Sequence, residues 1–467
     1  MRLPHLLTVP ALLFAACSSP AADSSASACA ADLSAPYTPN KPSTLALRDI
    51  VGLSSHPSLG ADAAAIAERA FEWKALHRLG IHRMRTDFGQ DPLEPERGQF
   101  DFSAFDPLVA EAAKEHVDLL ALLDRAPRWA MDAPEGQGGY PPRDAADFAT
   151  FAIAVADRYG QTIHEWEVWN EPNNGFSFWK GADLGGEPDK YGQLYLRTHA
   201  DLAQNQACAE VACGSLLYNF YVGSPPDFLD AALQANPTLA ANLDIVSFHP
   251  YPTYPPRVAP EYAENGETPL VDQIAAVNAV LAKAGAKPRS LWLTELGWPT
   301  KGEFTEEQHA NYAIRAIVLS ALAGADRLYL YTLLDGGDPE SLSPEGDFGL
   351  MTRGNIAGLP ADQPQPKPAF VAIAALLNSV GTFHVKRRVP QPDPATYVIE
   401  LERLDEIAWL LWQADSKTGV KLPSTTLHTD PLLLVDRLDG KGPTAGYSSD
   451  MELGPRPVLV RAPIAYE

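Results

Sequence analysis

The chain has 467 residues, 46% of them hydrophobic, and a formal net charge of −23 at pH 7. That apolar content is ample for a core, and the length exceeds what one ordinary domain needs, so a large unit with a smaller appendage is expected. The long-range field of so acidic a molecule argues against nucleic acid and against a strongly anionic ligand.

Residues 1–17 read as an export signal, with a basic n-region at Arg2, an apolar stretch from Leu6 to Ala16 and small residues before Cys17. The stretch is too short to span a bilayer as a mature helix. Phe14-Ala15-Ala16-Cys17 resembles a bacterial lipoprotein cleavage box, with Phe14 where leucine is usual. Cys17 would then carry the lipid, and Ser18 would favour retention at the outer membrane; the alternative is an ordinary signal cut nearby and a freely secreted product. In either case the mature chain leaves the reducing cytosol for surroundings in which disulfides can form. Residues 18–44, rich in Ser, Ala, Pro and Asp, read as a flexible tether that contains Cys29. Cys208 and Cys213 are close enough in sequence for a local disulfide; two small buried thiols flanking the start of a strand is the other reading.

From residue 45 to 380, short apolar runs alternate with longer amphipathic segments. The expected strands are Ile50–Ser54, His82–Asp87, Leu119–Leu123, Ile163–Trp169, Ala212–Leu217, Ile245–His249, Ser290–Thr294 and Arg327–Thr332. Helical periods cover Ala61–Leu79, Phe105–Glu115, Ala145–Tyr159, Lys190–Gln204, Asp227–Ala235, Val271–Ala284, Glu306–Ala323 and Pro368–Ser379. Eight βα units predict an α/β fold, a (β/α)8 TIM barrel. An open doubly wound sheet would want a Gly-rich phosphate loop after its first strand, and Gly52-Leu-Ser-Ser-His56 offers none. Residues 381–467 switch to alternating runs separated by Pro, Gly and Asp, as in a small antiparallel β-domain that packs on the barrel or binds carbohydrate.

Two stretches carry chemistry. Ile163 to Asn173 is a β-branched and aromatic run that ends in Glu171-Pro172, and proline is expected to push Glu171 into an extended conformation at a strand's C-terminal rim. Leu291-Trp-Leu-Thr-Glu295-Leu-Gly-Trp298-Pro-Thr300 repeats the setting on the seventh strand. Either acid alone reads as solvated. Strands four and seven face one another across a barrel mouth, and two carboxylates flanking one bond are what glycoside hydrolysis requires.

Val168-Trp-Asn-Glu-Pro-Asn173 and Leu293-Thr-Glu-Leu-Gly-Trp298 resemble the acid/base and nucleophile motifs of the clan A glycoside hydrolases. With Phe248-His-Pro-Tyr251 and the stretch Leu93 to Phe102, the chain is most similar to family 39, including its exopolysaccharide-cleaving members. The resemblance implies a retaining mechanism, with Glu171 as general acid/base, Glu295 as nucleophile and Asn170 on the sugar 2-hydroxyl. It implies that Arg85 holds Glu295 ionised, against the plainer reading of a barrel salt bridge to Glu167. His249 and Tyr251 would line the sugar subsite; a core histidine donating to a carbonyl is the plainer reading of the first.

Aromatic residues at strand ends suit the C–H faces of a saccharide, namely Trp129, Phe176, Phe178, Trp179, Trp298, Tyr329 and Tyr331. Tyr331 departs from the tryptophan that many clan members carry there. No metal or organic cofactor is required, and Asp335, Asp338 and Asp347 lack EF-hand spacing for calcium. The expected partner is a carbohydrate substrate, with no nucleic acid, membrane contact only through an N-terminal lipid, and a monomeric state. A carbohydrate-binding pseudoenzyme is the competing class. A metal-dependent barrel hydrolase would need grouped histidines that the sequence does not show.

Overall fold

The computed structural model describes residues 37–461, apart from 184, 207, 219–223, 252–258, 263–267, 302–303, 337–343, 355–362, 405, 416–419, 422–433 and 446–451. Cys17, Cys29 and Asp338 therefore lie outside the described residues.

Eight parallel strands close into a barrel, β1 Val51–Ser54, β2 Arg83–Gly89, β3 Asp118–Asp124, β4 Glu165–Val168, β5 Glu210–Leu217, β6 Ile245–His249, β7 Ser290–Leu296 and β8 Arg327–Tyr331. Closure is made by β1 against β8, with Val51 opposite Leu328 and Ser54 opposite Tyr331. The (β/α)8 expectation holds, and the strands are buried along nearly their whole length because helices cover the sheet outside while side chains fill it inside. Helix limits follow local chemistry. Ala63–Leu79 starts where the Asp62 carboxylate accepts the amides of Ala64 and Ala65, and stops at Gly80 with φ 76°. Glu306–Ala323 begins with a reciprocal capping box between Thr305 and Gln308.

The barrel interior is layered by the period-two rule. Arg83, Arg85 and Asp87 on β2 face inward at successive heights, as do Glu165 and Glu167 on β4. Arg83 pairs with Glu165 at 3.1 Å low in the barrel, and Arg85 pairs with Glu167 at 2.6 Å one layer up. Leu120, Ala212, Ile245, Trp292 and Tyr329 fill the apolar layer between the strands.

Beyond the last barrel helix, Pro368–Val380, come β9 His384–Arg388, β10 Thr396–Arg403, β11 Glu406–Gln413, β12 Val420–Lys421, β13 Leu434–Asp436, β14 Thr444–Ala445, β15 Glu452–Leu453 and β16 Val458–Arg461. They form an antiparallel sheet in the order β14-β13-β16-β11-β10-β9 with a two-stranded β12-β15 ribbon. One face, with Ile399, Leu401, Leu410 and Trp412, joins the barrel's own core; the other, with Val398, Leu411, Val458 and Val460, forms a second cluster.

The expected Cys208–Cys213 bridge is not formed. Cys213 is a free thiol buried on β5 among core side chains, where burial pushes it up to about 12. Cys208, in the loop before β5, is disulfide-bonded, and not to Cys213. The reason is directional, because Cys213 is drawn into the barrel wall while Cys208 stays in the half-buried loop outside it.

Candidate active site

Glu171 does not follow its proline into extended backbone. It adopts φ 44°, and Trp169 two residues earlier adopts φ 67°. The turn is held by the Glu171 amide donating to the Ser215 carbonyl at 3.0 Å and by the Asn174 amide donating to the Glu171 carbonyl at 2.8 Å. Two non-glycine residues in the left-handed region within three positions mark stored strain, and strain of this kind gathers at functional sites. Both lie at the C-terminal rim of β4.

Glu295 ends β7 inside a register shift between Leu293 and Leu296. Such a bulge re-aims a side chain. Here Glu295 comes to Arg85, whose Nη1 donates to Oε1 at 2.6 Å, and to Tyr251, whose hydroxyl donates to Oε2 at 3.3 Å. Arg85 is buried and its donors are shared out. Nε reaches Glu167 at 2.6 Å, Nη2 reaches Asn170 Oδ1 at 2.9 Å and Ser215 Oγ at 3.1 Å. The two readings of Arg85 thus hold together, since one guanidinium spans the barrel salt bridge and Glu295.

Glu171 is 7% exposed. Burial pushes its carboxyl up to about 7, against the Asn174 amide and the Arg85 charge, which both pull it down. Asn174 Nδ2 donates to Oε2 at 2.8 Å, and Oε1 lies 3.0 Å from His249 Nδ1. His249 is fully buried and, chiefly for that reason, is held down to about 4, so it is neutral at pH 7. Its other nitrogen lies 3.0 Å from Ser215 Oγ, which in turn donates to Asn170 Oδ1 at 3.2 Å. With the Ser215 proton spent on Asn170, His249 Nε2 donates to Ser215 and Nδ1 is left as an acceptor. In that tautomer the 3.0 Å contact is made by a proton on Glu171 Oε1. His249 bonds neither of its nitrogens to a backbone carbonyl here; it links Glu171 to Ser215.

Single ligand-type atoms of Glu171, His249 and Glu295 all lie within 4.8 Å of one another. These are the groups among the described residues with the spacing to hold a metal. The Arg85 guanidinium, 2.6 Å from Glu295, already supplies the positive charge there, so they are read as hydrogen-bonded partners. Asp335 is likewise taken, its Oδ1 accepting from Lys367 Nζ at 2.7 Å.

The pair sits in a cleft of about 660 Å³ whose walls include Asn170, Tyr251, Tyr331, Phe348, Phe176 and Phe178. Tyr331 packs edge-on against His56 and Phe348, and its peptide bond to Thr332 is cis. The other expected rings are elsewhere. Trp298 is buried against Tyr312, Trp179 is buried and donates to Glu187, and Tyr329 lies inside the barrel. Trp129 donates to the Glu94 carbonyl beneath the Arg97 guanidinium. Sequence reading missed His56, Asp87, Asp124 and Arg125, which form one wall of the cleft. Their signal was present in that Asp87 and Asp124 are acids near strand ends, the same grammar that identified Glu171 and Glu295.

No protein-family model and no curated protein matches the chain. Solved structures do. A family 39 glycoside hydrolase from Bacteroides cellulosilyticus matches at 18% identity and a TM-score of 0.69, over 90% of this chain and 82% of that one. A family 39 β-xylosidase from Caulobacter crescentus matches at 18% and 0.56, over 92% and 98%. A family 30 endoxylanase from Clostridium papyrosolvens matches at 11% and 0.58, over 92% and 97%. At this identity the likeness is one of fold, and the chain is built on the architecture shared by the family 39 and family 30 glycoside hydrolases.

Proposed function

We propose that the chain is a retaining glycoside hydrolase acting on an oligo- or polysaccharide. The observation that carries this reading is the close approach of Glu171 and Glu295 at the mouth of the barrel, with oxygens within 4.8 Å. Retaining enzymes hold their carboxyl groups about 5–5.5 Å apart, whereas inversion needs about 6.5–9.5 Å to admit a water.

In the first step Glu295 attacks the anomeric carbon while the Glu171 carboxyl gives its proton to the departing glycosidic oxygen, forming a glycosyl ester on Glu295. In the second, Glu171 as carboxylate takes a proton from water, which attacks the anomeric carbon and releases Glu295. The two chemically identical groups are made different by their surroundings. Glu295 is charge-paired to Arg85, while Glu171 is desolvated and faces a histidine nitrogen that accepts. Asn170 has its carbonyl oxygen turned to Arg85 and Ser215, so its amide N–H₂ is the group left for a substrate hydroxyl.

The test is hydrolysis of a panel of aryl glycosides and polysaccharides by wild type and Glu295→Gln. Wild-type cleavage with retained configuration by NMR, and a loss of order 10⁴-fold or more in the variant, is expected. Binding of a glycan without cleavage by either form would instead support the binding-protein reading. Export belongs to the same proposal, with palmitate labelling that disappears in Cys17→Ala as its check.

A further inference from the structure

The cleft does not end at the carboxylate pair. A second cavity of about 450 Å³ continues from it past the end of β3, and the two share Asp124, Arg125, Ser177 and Phe178 along their boundary. The loops that enclose it are built to meet. Lys180 N donates to the Gly139 carbonyl at 2.9 Å, and a Cβ on Gly139, which has φ 82°, would fall 2.0 Å from the Ser177 carbonyl.

Asp124, on the boundary, is 2% exposed, yet its Oδ1 has no hydrogen-bond partner among the described residues. Its Oδ2 has the Arg125 Nε at 3.6 Å. An orphaned buried oxygen is costly, and one on a cavity wall is satisfied when a ligand hydroxyl arrives. Burial, and then the Asp87 carboxylate, hold the Asp124 carboxyl well above its usual range. For Asp87 burial acts in the same direction but is outweighed by His56 and Arg125. Asp124 thus keeps an unpartnered oxygen on the cavity wall for a ligand hydroxyl.

The charge at the far end is the independent observation. Arg125, Arg128 and Lys180 all line this cavity. Arg125 is paired to Asp87 at 2.8 Å. Arg128 and Lys180 donate to the carbonyls of Ala133 and Gly138, and neither makes an ion pair among the described residues. Asp91 and Asp124 line the same cavity, but among the described residues neither is ion-paired to Arg128 or Lys180, which leaves these two cations to meet an anionic group there. Phe178, Met131 and Pro127 add apolar wall for a sugar ring.

The geometry points to a second saccharide subsite in which Asp124 takes a ring hydroxyl and Arg128 and Lys180 take an acidic substituent, so that the substrate class is an acidic oligo- or polysaccharide. This rests on reading the Glu171–Glu295 cleft as a glycosidase site. A carboxylate on a uronic acid and a sulfate half-ester share the chemistry that two cations recognise.

The test is calorimetric binding to the Glu295→Gln chain of three matched oligosaccharides: neutral, uronate-bearing and sulfated. At low salt, at least one acidic ligand is expected to bind about tenfold or more tighter than the neutral one, and the arm that does so identifies the substituent. That ratio should collapse toward one in Arg128→Ala/Lys180→Ala and shrink as salt is raised from about 0.05 to 0.5 M. Lys180→Gln alone, at a half-buried position, guards against a folding defect and should lower the ratio in part. Equal binding of neutral and acidic ligands by the parent chain, or a ratio untouched by the substitutions, overturns the inference. Because binding is read in an inactive variant, a glycan held but never cleaved by wild type would sink the glycosidase reading and leave the subsite standing.

Discussion

At the scale of single residues, the site turns on where one proton resides. Glu171 is pushed up to about 7, mainly by burial, and must be protonated to act as an acid. The groups facing it are Arg85 from β2, Asn174 from its own loop, His249 from β6, Glu295 from β7 and Tyr331 from β8. Activity is therefore expected to hold below about pH 7 and to fall about tenfold per unit above it, as the acid form is lost. Glu171→Gln should abolish that alkaline limb in a pH series of kcat/KM, and a limb that persists would assign it to another group. Ser215 is the hub that sequence reading passed over. It has φ 50°, bonds Arg85, Asn170 and His249 through its hydroxyl, and accepts the Glu171 amide on its carbonyl. Ser215→Gly relieves the backbone strain and deletes the hydroxyl, so we expect a melting temperature no lower than that of Ser215→Ala. In both variants the alkaline limb should move to lower pH, because His249 is freed to donate to the Glu171 carboxylate.

At the scale of elements, the rim of the barrel is shaped by irregularity. β5 shifts register between Cys213 and Leu216, and β7 shifts between Leu293 and Leu296, which are the segments that carry Ser215 and Glu295. A regular strand would alternate its side chains in and out; a bulge gives one more residue to the inside. Gly214 makes the first shift feasible, with φ 132° and a position where a Cβ would lie 2.1 Å from the Ser247 carbonyl. Gly214→Ala should cost more than about 4 kcal/mol, in the range reserved for severe backbone conflict. Urea unfolding measures it, and a loss under about 1 kcal/mol would mean that the bulge yields easily.

At the scale of the whole molecule, the β-domain is fastened to the barrel through a buried polar contact as well as a shared core. Arg315, on the helix Glu306–Ala323, pairs with Glu261 at 3.5 Å and also donates to the Pro455 carbonyl, while Trp412 Nε1 donates to Glu261 at 2.7 Å. Burial pushes the Glu261 carboxyl up, against the Arg315 charge and the hydrogen bonds that favour its ionised form. Arg315→Ala leaves that acid without its cation and is expected to cost about 3–5 kcal/mol. One cooperative thermal transition, shifted down in the variant, is the expected record; two separated transitions would show that barrel and β-domain unfold independently. The net charge of −23 describes this scale and not the cleft, where Arg85 is buried beneath the carboxylates and Arg128 and Lys180 make no ion pair among the described residues.

The eight strands, the eight helices, the β-rich tail and the pairing of Glu171 with Glu295 were legible in the sequence, because each is written in local periodicity and in what ends a run. The choice between readings of Arg85 was not legible, since a guanidinium has enough donors to satisfy both and only packing shows that it does. Nor could spacing tell which cysteine stays free, because neighbours along a chain diverge once a strand turns one of them into the barrel wall. All three tryptophans expected at the cleft, Trp129, Trp179 and Trp298, lie elsewhere for a similar reason. Trp179 and Trp298, each near a catalytic residue in sequence, are turned into the buried core and not into the mouth. What local sequence determines is the class of chemistry held at each strand's end; which of those ends share a proton, a charge or a sugar depends on closure of the barrel, which brings residues 85, 171, 215, 249 and 295 within hydrogen-bonding reach.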